Sequence, residues 1–266
     1  MTDTKPSINY VIATYAGVSK KRETSDKGIT PLVLQMHLDK LIEFIPSTSM
    51  ISQVTIIRPN VIDSDSYSEY YQIEEKVDII QNQYNIPVKF VNMENHATGV
   101  SYSQYRKAFQ KYPNFDFYIL MEDDWVPCQP CFDELLLSEW KNQFSTIRCN
   151  AYLCLWYTAI MRYKKHAAIS VGLISQKALS ELRKCCKMDV QLDQYNFSLA
   201  LQRLGTKIND FSDHGSKWRI LFWETSKGVV YDFSDTECNK ECLLAPLQYI
   251  LMDKYEYEIV PRPRFC

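Results

Sequence analysis

Short apolar runs alternate along this chain with segments whose apolar residues recur at helical spacing. Ile8 to Ala13 is such a run, closed by the polar segment Ser19 to Lys27, and reads as a buried strand followed by a loop. Pro31 stands where a helix can begin, and Leu34, Leu38, Leu41 and Ile45 then recur at helical spacing up to Pro46. The unit repeats: Gln53 to Ile57 as a strand, Ser66 to Tyr84 as a polar helix, Ile86 to Val91 as a strand, Ser101 to Tyr112 as a helix and Phe115 to Met121 as a strand. This alternation predicts an α/β fold, a mostly parallel sheet with helices on its faces. Further on, Ala151 to Trp156 and Ala167 to Ile174 read as strands, and Gln176 to Lys184 and Gln191 to Leu204 as helices, the last closed by Gly205. The tail from Lys217, rich in aromatic residues and prolines, is expected to be irregular and wrapped on the domain. With no internal repeat, low-complexity tract or Gly/Ser linker, residues 1–266 are expected to form one domain, its halves meeting near residue 125.

Composition narrows the function classes. With 266 residues, 46% of them hydrophobic, the chain can bury a sizeable core. Thirty Lys and Arg against 32 Asp and Glu leave no basic excess to neutralise a duplex backbone, so no nucleic-acid partner is expected. No stretch approaches the ~20 apolar residues of a membrane-spanning helix, and Met1 to Ser7 is polar, so a cytoplasmic protein is expected. The nine cysteines are scattered, odd in number and without a secreted framework, which predicts mostly reduced, buried thiols. Cys128-x-x-Cys131 with Cys238-x-x-x-Cys242 would make a four-thiolate zinc site only if the fold joined them, and the irregular second spacing argues against it.

The chemistry concentrates where the apolar run Phe117 to Met121 ends in Glu122-Asp123-Asp124. Ligands of open parallel sheets bind outside the carboxyl ends of strands. Three successive carboxylates there repel one another unless solvent or a cation accommodates them. Mg²⁺ and Mn²⁺ favour oxygen ligands and are held by one or two carboxylates together with substrate diphosphate oxygens, a chemistry suited to sugar transfer. Asp124 is expected to be the most direct ligand, with Glu122 on the same side if the strand continues and Asp123 opposite. A solvated acidic turn, supported by Pro127, is the structural alternative.

The order Ile8-x-Tyr-Val-Ile-Ala-Thr-Tyr, then Phe-Asp-Phe-Tyr-Ile-Leu-Met-Glu-Asp-Asp-Trp-Val-Pro about a hundred residues later, resembles the GT-A-fold, nucleotide-sugar-dependent glycosyltransferases. It is similar to small enzymes of large DNA viruses and of bacterial polysaccharide pathways, over roughly residues 8 to 215. The resemblance implies a Rossmann-like three-layer α/β/α fold with a smaller acceptor-side region, in which residues 8–125 bind the nucleotide sugar and residues 126–266 serve the acceptor. It implies a UDP-sugar or related donor, a glycan or glycoprotein acceptor, and Mn²⁺ or Mg²⁺. Ala13, Thr14 and Tyr15 would contact base and ribose, and Glu122, Asp123 and Asp124 would stand for the family's D-x-D motif, here Glu-Asp-Asp. Val171-Gly172-Leu173-Ile174 followed by Gln191-Leu192-Asp193-Gln194 would supply the general base of an inverting enzyme, Asp193, an anion favoured in a first helical turn; Asp189 competes for the role. His214, in a late loop, would be a third metal ligand, with Asp213 as a substitute. Lys217, Arg219 and Arg106 would touch the diphosphate, and His96 lies in a stretch facing nucleotide or sugar or capping a helix at Ser101. His37 and His166 hold ordinary positions. Two other readings stay open. Ala16-Gly17-Val18-Ser19-Lys20-Lys21-Arg22 faintly echoes the phosphate loop of sugar nucleotidyltransferases, and the 13% aromatic share would also suit a non-catalytic carbohydrate binder.

Overall fold

The computed structural model describes residues 5–14, 29–59, 73–93, 101–123, 125–127, 129–144, 146–154, 157–161, 164–167, 171–185, 194–210, 222–224, 229–232 and 258–261. Every residue of the first strand, β1 (Ile8–Ala13), is buried, which requires cover on both faces and both flanks. Those neighbours are β2 (Ile51–Pro59) and β4 (Phe117–Glu122), both parallel to β1, with β3 (Val88–Met93) parallel to β2 beyond. Past β4 the same sheet continues through β9 (Val171–Ser175), β6 (Ala151–Cys154) and β10 (Lys207–Asp210), giving the order β10-β6-β9-β4-β1-β2-β3. β9 alone is antiparallel to its neighbours, so six of the seven strands end on one edge.

Side-chain alternation along the strands builds two apolar layers. Ile8, Tyr10 and Ile12 of β1 and Phe117, Ile119 and Met121 of β4 enter one core, with Leu34, Leu38 and Leu41 of α1 (Ile29–Phe44), Val77 of α2 (Glu74–Asp78) and Phe132, Leu136 and Trp140 of α4 (Phe132–Gln143). Val11 and Ala13, with Tyr118 and Leu120, enter the other, with Tyr105, Ala108 and Phe109 of α3 (Ser101–Lys111), Ala178, Leu179 and Leu182 of α5 (Gln176–Cys185) and Phe197 and Leu201 of α6 (Gln194–Arg203). Each buried Leu, Ile or Phe contributes ~1.5–3 kcal/mol relative to exposure. The expected three-layer α/β/α arrangement with a mostly parallel sheet is therefore present. One glycine is dictated by packing: a Cβ on Gly172 of β9 would lie 2.6 Å from Cζ of the buried Tyr152 ring on β6. Gly205, at φ +70°, ends α6 as expected.

Several elements depart from the sequence expectation. The polar helix is seen as α2 from Glu74, running into a π-helical turn at Ile79–Gln83; the first part of the expected Ser66 to Tyr84 span lies outside the described residues. α4 was not anticipated, although Phe132, Leu136, Leu137 and Trp140 are its buried face. The expected strand Ala167 to Ile174 is two elements, β8 (Lys164–Ala167), which pairs antiparallel with β7 (Tyr157–Met161), and β9 in the main sheet. The tail carries three short strands, β11 (Phe222–Glu224), β12 (Val229–Asp232) and β13 (Glu258–Pro261), held by partners distant in sequence.

Candidate site at the carboxyl edge of the sheet

β1 and β4 run in register to their ends, with Ala13 opposite Glu122. The pairing extends one step further, because the Asp123 amide donates to the Ala13 carbonyl at 3.0 Å. The exit of β1 and the pair Glu122 and Asp123, over a hundred residues apart in sequence, thus lie side by side. β4 stops at Glu122, so the condition on which Glu122 and Asp124 would share a side, a continuing strand, is not met: Asp123 is in a turn and is 3% exposed. Trp125 to Pro127, read as turn from Pro127, is instead a short strand, β5, paired antiparallel with β11. Glu122 is half-buried.

The β1 exit is tightly held. Thr14 is 1% exposed, its amide and hydroxyl both donate to the Ile57 carbonyl, at 3.3 and 2.7 Å, and its carbonyl accepts from Gln104 Nε2 of α3 at 3.1 Å. Gln104 Oε1 is buried and has no hydrogen-bond partner. Arg106, the expected diphosphate contact, is buried in α3, and Ala13 is buried as well.

A second anchor comes from α1. His37 is fully buried, with Nδ1 3.2 Å from the Asp123 carbonyl oxygen and Nε2 2.8 Å from the Tyr10 hydroxyl. A carbonyl only accepts, so Nδ1 carries the hydrogen and Nε2 accepts from the phenol. Burial pushes the His37 pKa down to about 4, against the opposing pull of the Asp123 and Glu122 carbonyls, and burial raises that of Tyr10 well above its ordinary value. Both groups are neutral near pH 7. Sequence reasoning passed over His37; the signal available was a polar side chain inside the Leu34, Leu38, Leu41 stripe.

Tyr15, His96, Asp124, Asp189, Asp193, Asp213, His214, Lys217 and Arg219 lie outside the described residues. The described ends flanking their segments nevertheless share one edge. β1 and β3 end there. α5 starts at the opposite edge, where the Gln176 amide donates to the Asp116 carbonyl, and α6 finishes at that opposite edge, where Asn150 Nδ2 donates to the Leu204 carbonyl. The carboxyl end of α5 and the amino end of α6 therefore both lie on the acidic side. β10 also ends on that side, and β11 pairs with β5, the strand that begins at Trp125.

Among the described residues no group of three or more His, Cys, Asp and Glu is arranged to hold a metal ion; Asp124 is not among them. Cys131, Cys149 and Cys154 are free thiols. A cavity of about 460 Å³ lined by Asp116, Arg148, Gln176 and Lys177 opens at the opposite edge of the sheet, away from the triplet. No helix among the described residues is long and apolar enough to cross a membrane.

No family model matches the chain, and no curated protein matches it. Among solved structures it is similar to a protein described as a glucose-1-phosphate thymidylyltransferase from Bacillus anthracis, at 10% identity and TM-score 0.48, covering 83% of this chain and 91% of that one. It is also similar to the inositol-1-phosphate CTP transferase of T. maritima, at 12% identity and TM-score 0.47, covering 97% and 99%. A cytidylyltransferase from Leptospira borgpetersenii shows 13% identity and TM-score 0.47, covering 94% and 96%. At these scores and identities the likeness assigns neither activity nor substrate to this chain.

Proposed function

We propose that this chain is a nucleotide-sugar-utilising transferase whose nucleotide lies across the ends of β1 and β4, with the acidic triplet facing its phosphates. The observation that carries the reading is the pairing of Ala13 with Glu122, extended by the Asp123 amide. It brings the base-side strand exit and the carboxylates within one ligand's reach. The donors offered by the triplet are carboxylate oxygens, which fit Mg²⁺ or Mn²⁺ and not a soft metal. Glu122 and Asp124 would hold that ion, and it would neutralise charge on the departing phosphates.

Glycosyl transfer is the reaction argued from the triplet. An acceptor hydroxyl attacks the anomeric carbon, the bond from that carbon to the diphosphate oxygen breaks, and the nucleoside diphosphate leaves with the electron pair. Asp193 takes the hydroxyl proton, and inversion follows if it does. His214 and Lys217 would serve as third ligand and diphosphate contact.

Sugar nucleotidyl transfer is the second reading. The similar solved structures are named as nucleotidyltransferases, one of them for glucose 1-phosphate, and Lys20, Lys21 and Arg22 follow Gly17 after β1. Here a sugar phosphate oxygen attacks the α-phosphorus of a nucleoside triphosphate and pyrophosphate leaves. Incubation with Mn²⁺ and either nucleotide sugars or nucleoside triphosphates plus sugar 1-phosphates separates the two: nucleoside diphosphate release supports the first, pyrophosphate release the second. Turnover of neither panel overturns the proposal.

A further inference from the structure

The acidic turn is held by two backbone bonds of different origin. The Asp123 amide is fixed by β1, the strand beside it, whereas the Asp123 carbonyl is fixed by a side chain from another layer, His37 of α1. The imidazole is oriented in turn by Tyr10, two residues into the same β1 and packed edge-on to it at 5.7 Å between ring centroids. Tyr10 is itself edge-on to Phe132 at the start of α4, so its ring is confined from a second element. Each donor and acceptor in the chain from Tyr10 hydroxyl to His37 to the Asp123 carbonyl has one role, because the terminal carbonyl fixes the tautomer.

An apolar side chain would fill this position in α1 without the cost of burying two polar groups, each needing a partner. The stripe of Leu34, Leu38 and Leu41 around it makes that the default. The polar pair buys a directed contact on the turn that carries the carboxylates. We propose that His37, oriented by Tyr10, is a positioning residue that sets the peptide of Asp123 and thereby the aim of the carboxylates at the carboxyl edge of β4. The inference deepens the proposed function and rests on it for the role of those carboxylates; the positioning itself is readable without a ligand.

The test uses the full chain in four forms: wild type, His37→Leu, His37→Asn and Tyr10→Phe. Asn returns an N–H donor near the place of Nδ1, so it is the rescuing variant, and Tyr10→Phe keeps the imidazole while removing its orienting hydroxyl. Amide hydrogen exchange of the peptide spanning residues 121–127 is read in the metal-free proteins, and Mn²⁺ affinity in the presence of UDP by calorimetry. Expected are exchange faster by about 10-fold in His37→Leu, intermediate in Tyr10→Phe and near wild type in His37→Asn, a ratio that corresponds to ~1.4 kcal/mol of local opening. Mn²⁺ affinity follows the same order. Unchanged exchange at 121–127 in Tyr10→Phe, or loss of the ordering among variants that fold, overturns the positioning role. Altered exchange with no Mn²⁺ binding even in the wild type leaves the positioning intact and removes the metal reading instead.

Discussion

His37 and Gly172 show how single residues answer to contacts far away in sequence. His37 ionises near 6.5 in an unfolded chain and at about 4 here, so between those values the unfolded chain binds more protons. Its contribution is fully present above pH 6.5 and is lost as pH falls toward 4, a change of ~3 kcal/mol. Urea melts of the wild type across this window are expected to steepen in pH dependence relative to His37→Asn; matching slopes would remove His37 as the cause. At Gly172, an added methyl meets the Tyr152 ring, which is buried and closed in by its own cluster. Gly172→Ala is expected to lose ~1–3 kcal/mol, seen as a lower Tm, because overpacking forces the ring or β9 to shift. A Gly172→Ala, Tyr152→Phe double variant does not relieve it, since the ring carbons remain.

At the scale of elements, α4 illustrates both what periodicity reveals and what it leaves out. Its apolar face is present in the sequence, and Asp133 and Glu134 make an acidic first turn, yet the capping signal is missing: Cys131, at φ 54°, precedes it with no side-chain cap. The turn is instead stabilised across the chain by Asp133, whose Oδ2 accepts the Ser49 and Met50 amides at 2.9 and 2.8 Å while Oδ1 accepts the Glu134 amide. Asp133→Ala strands those donors and is expected to cost ~2–4 kcal/mol in denaturant melts, with Asp133→Asn losing less because one acceptor oxygen survives. Where an element is made by local pattern, as in β1, α1 or α6 with Gly205, the sequence predicts it. Where it is made by a distant partner, it does not: β5 is a strand because β11 pairs with it about a hundred residues later, and Ala167, the first residue of the expected strand to Ile174, belongs instead to β8, paired with β7. The acidic triplet was legible as a strand end because the apolar run stops there. The Tyr10 and His37 support was not, since it needs α1 laid on the sheet.

For the whole molecule, the parallel direction of six strands decides where chemistry gathers. The ends of β1, β2, β3, β4, β6 and β10, the amino end of α6 and the carboxyl end of α5 share one edge. A sheet with β9 reversed keeps that edge intact while letting a direct turn at Ser175 and Gln176 send α5 back toward it. The central claim is that a dication held by the triplet in turn holds nucleotide phosphates, and calorimetric titration of nucleoside diphosphates, UDP first, into wild type and Asp124→Ala tests it most directly. The account predicts binding that requires Mn²⁺ or Mg²⁺, is abolished by EDTA, and is weakened by at least ~10-fold, about 1.4 kcal/mol, in a folded Asp124→Ala. Metal-independent binding, or equal affinity in the two proteins, would contradict it.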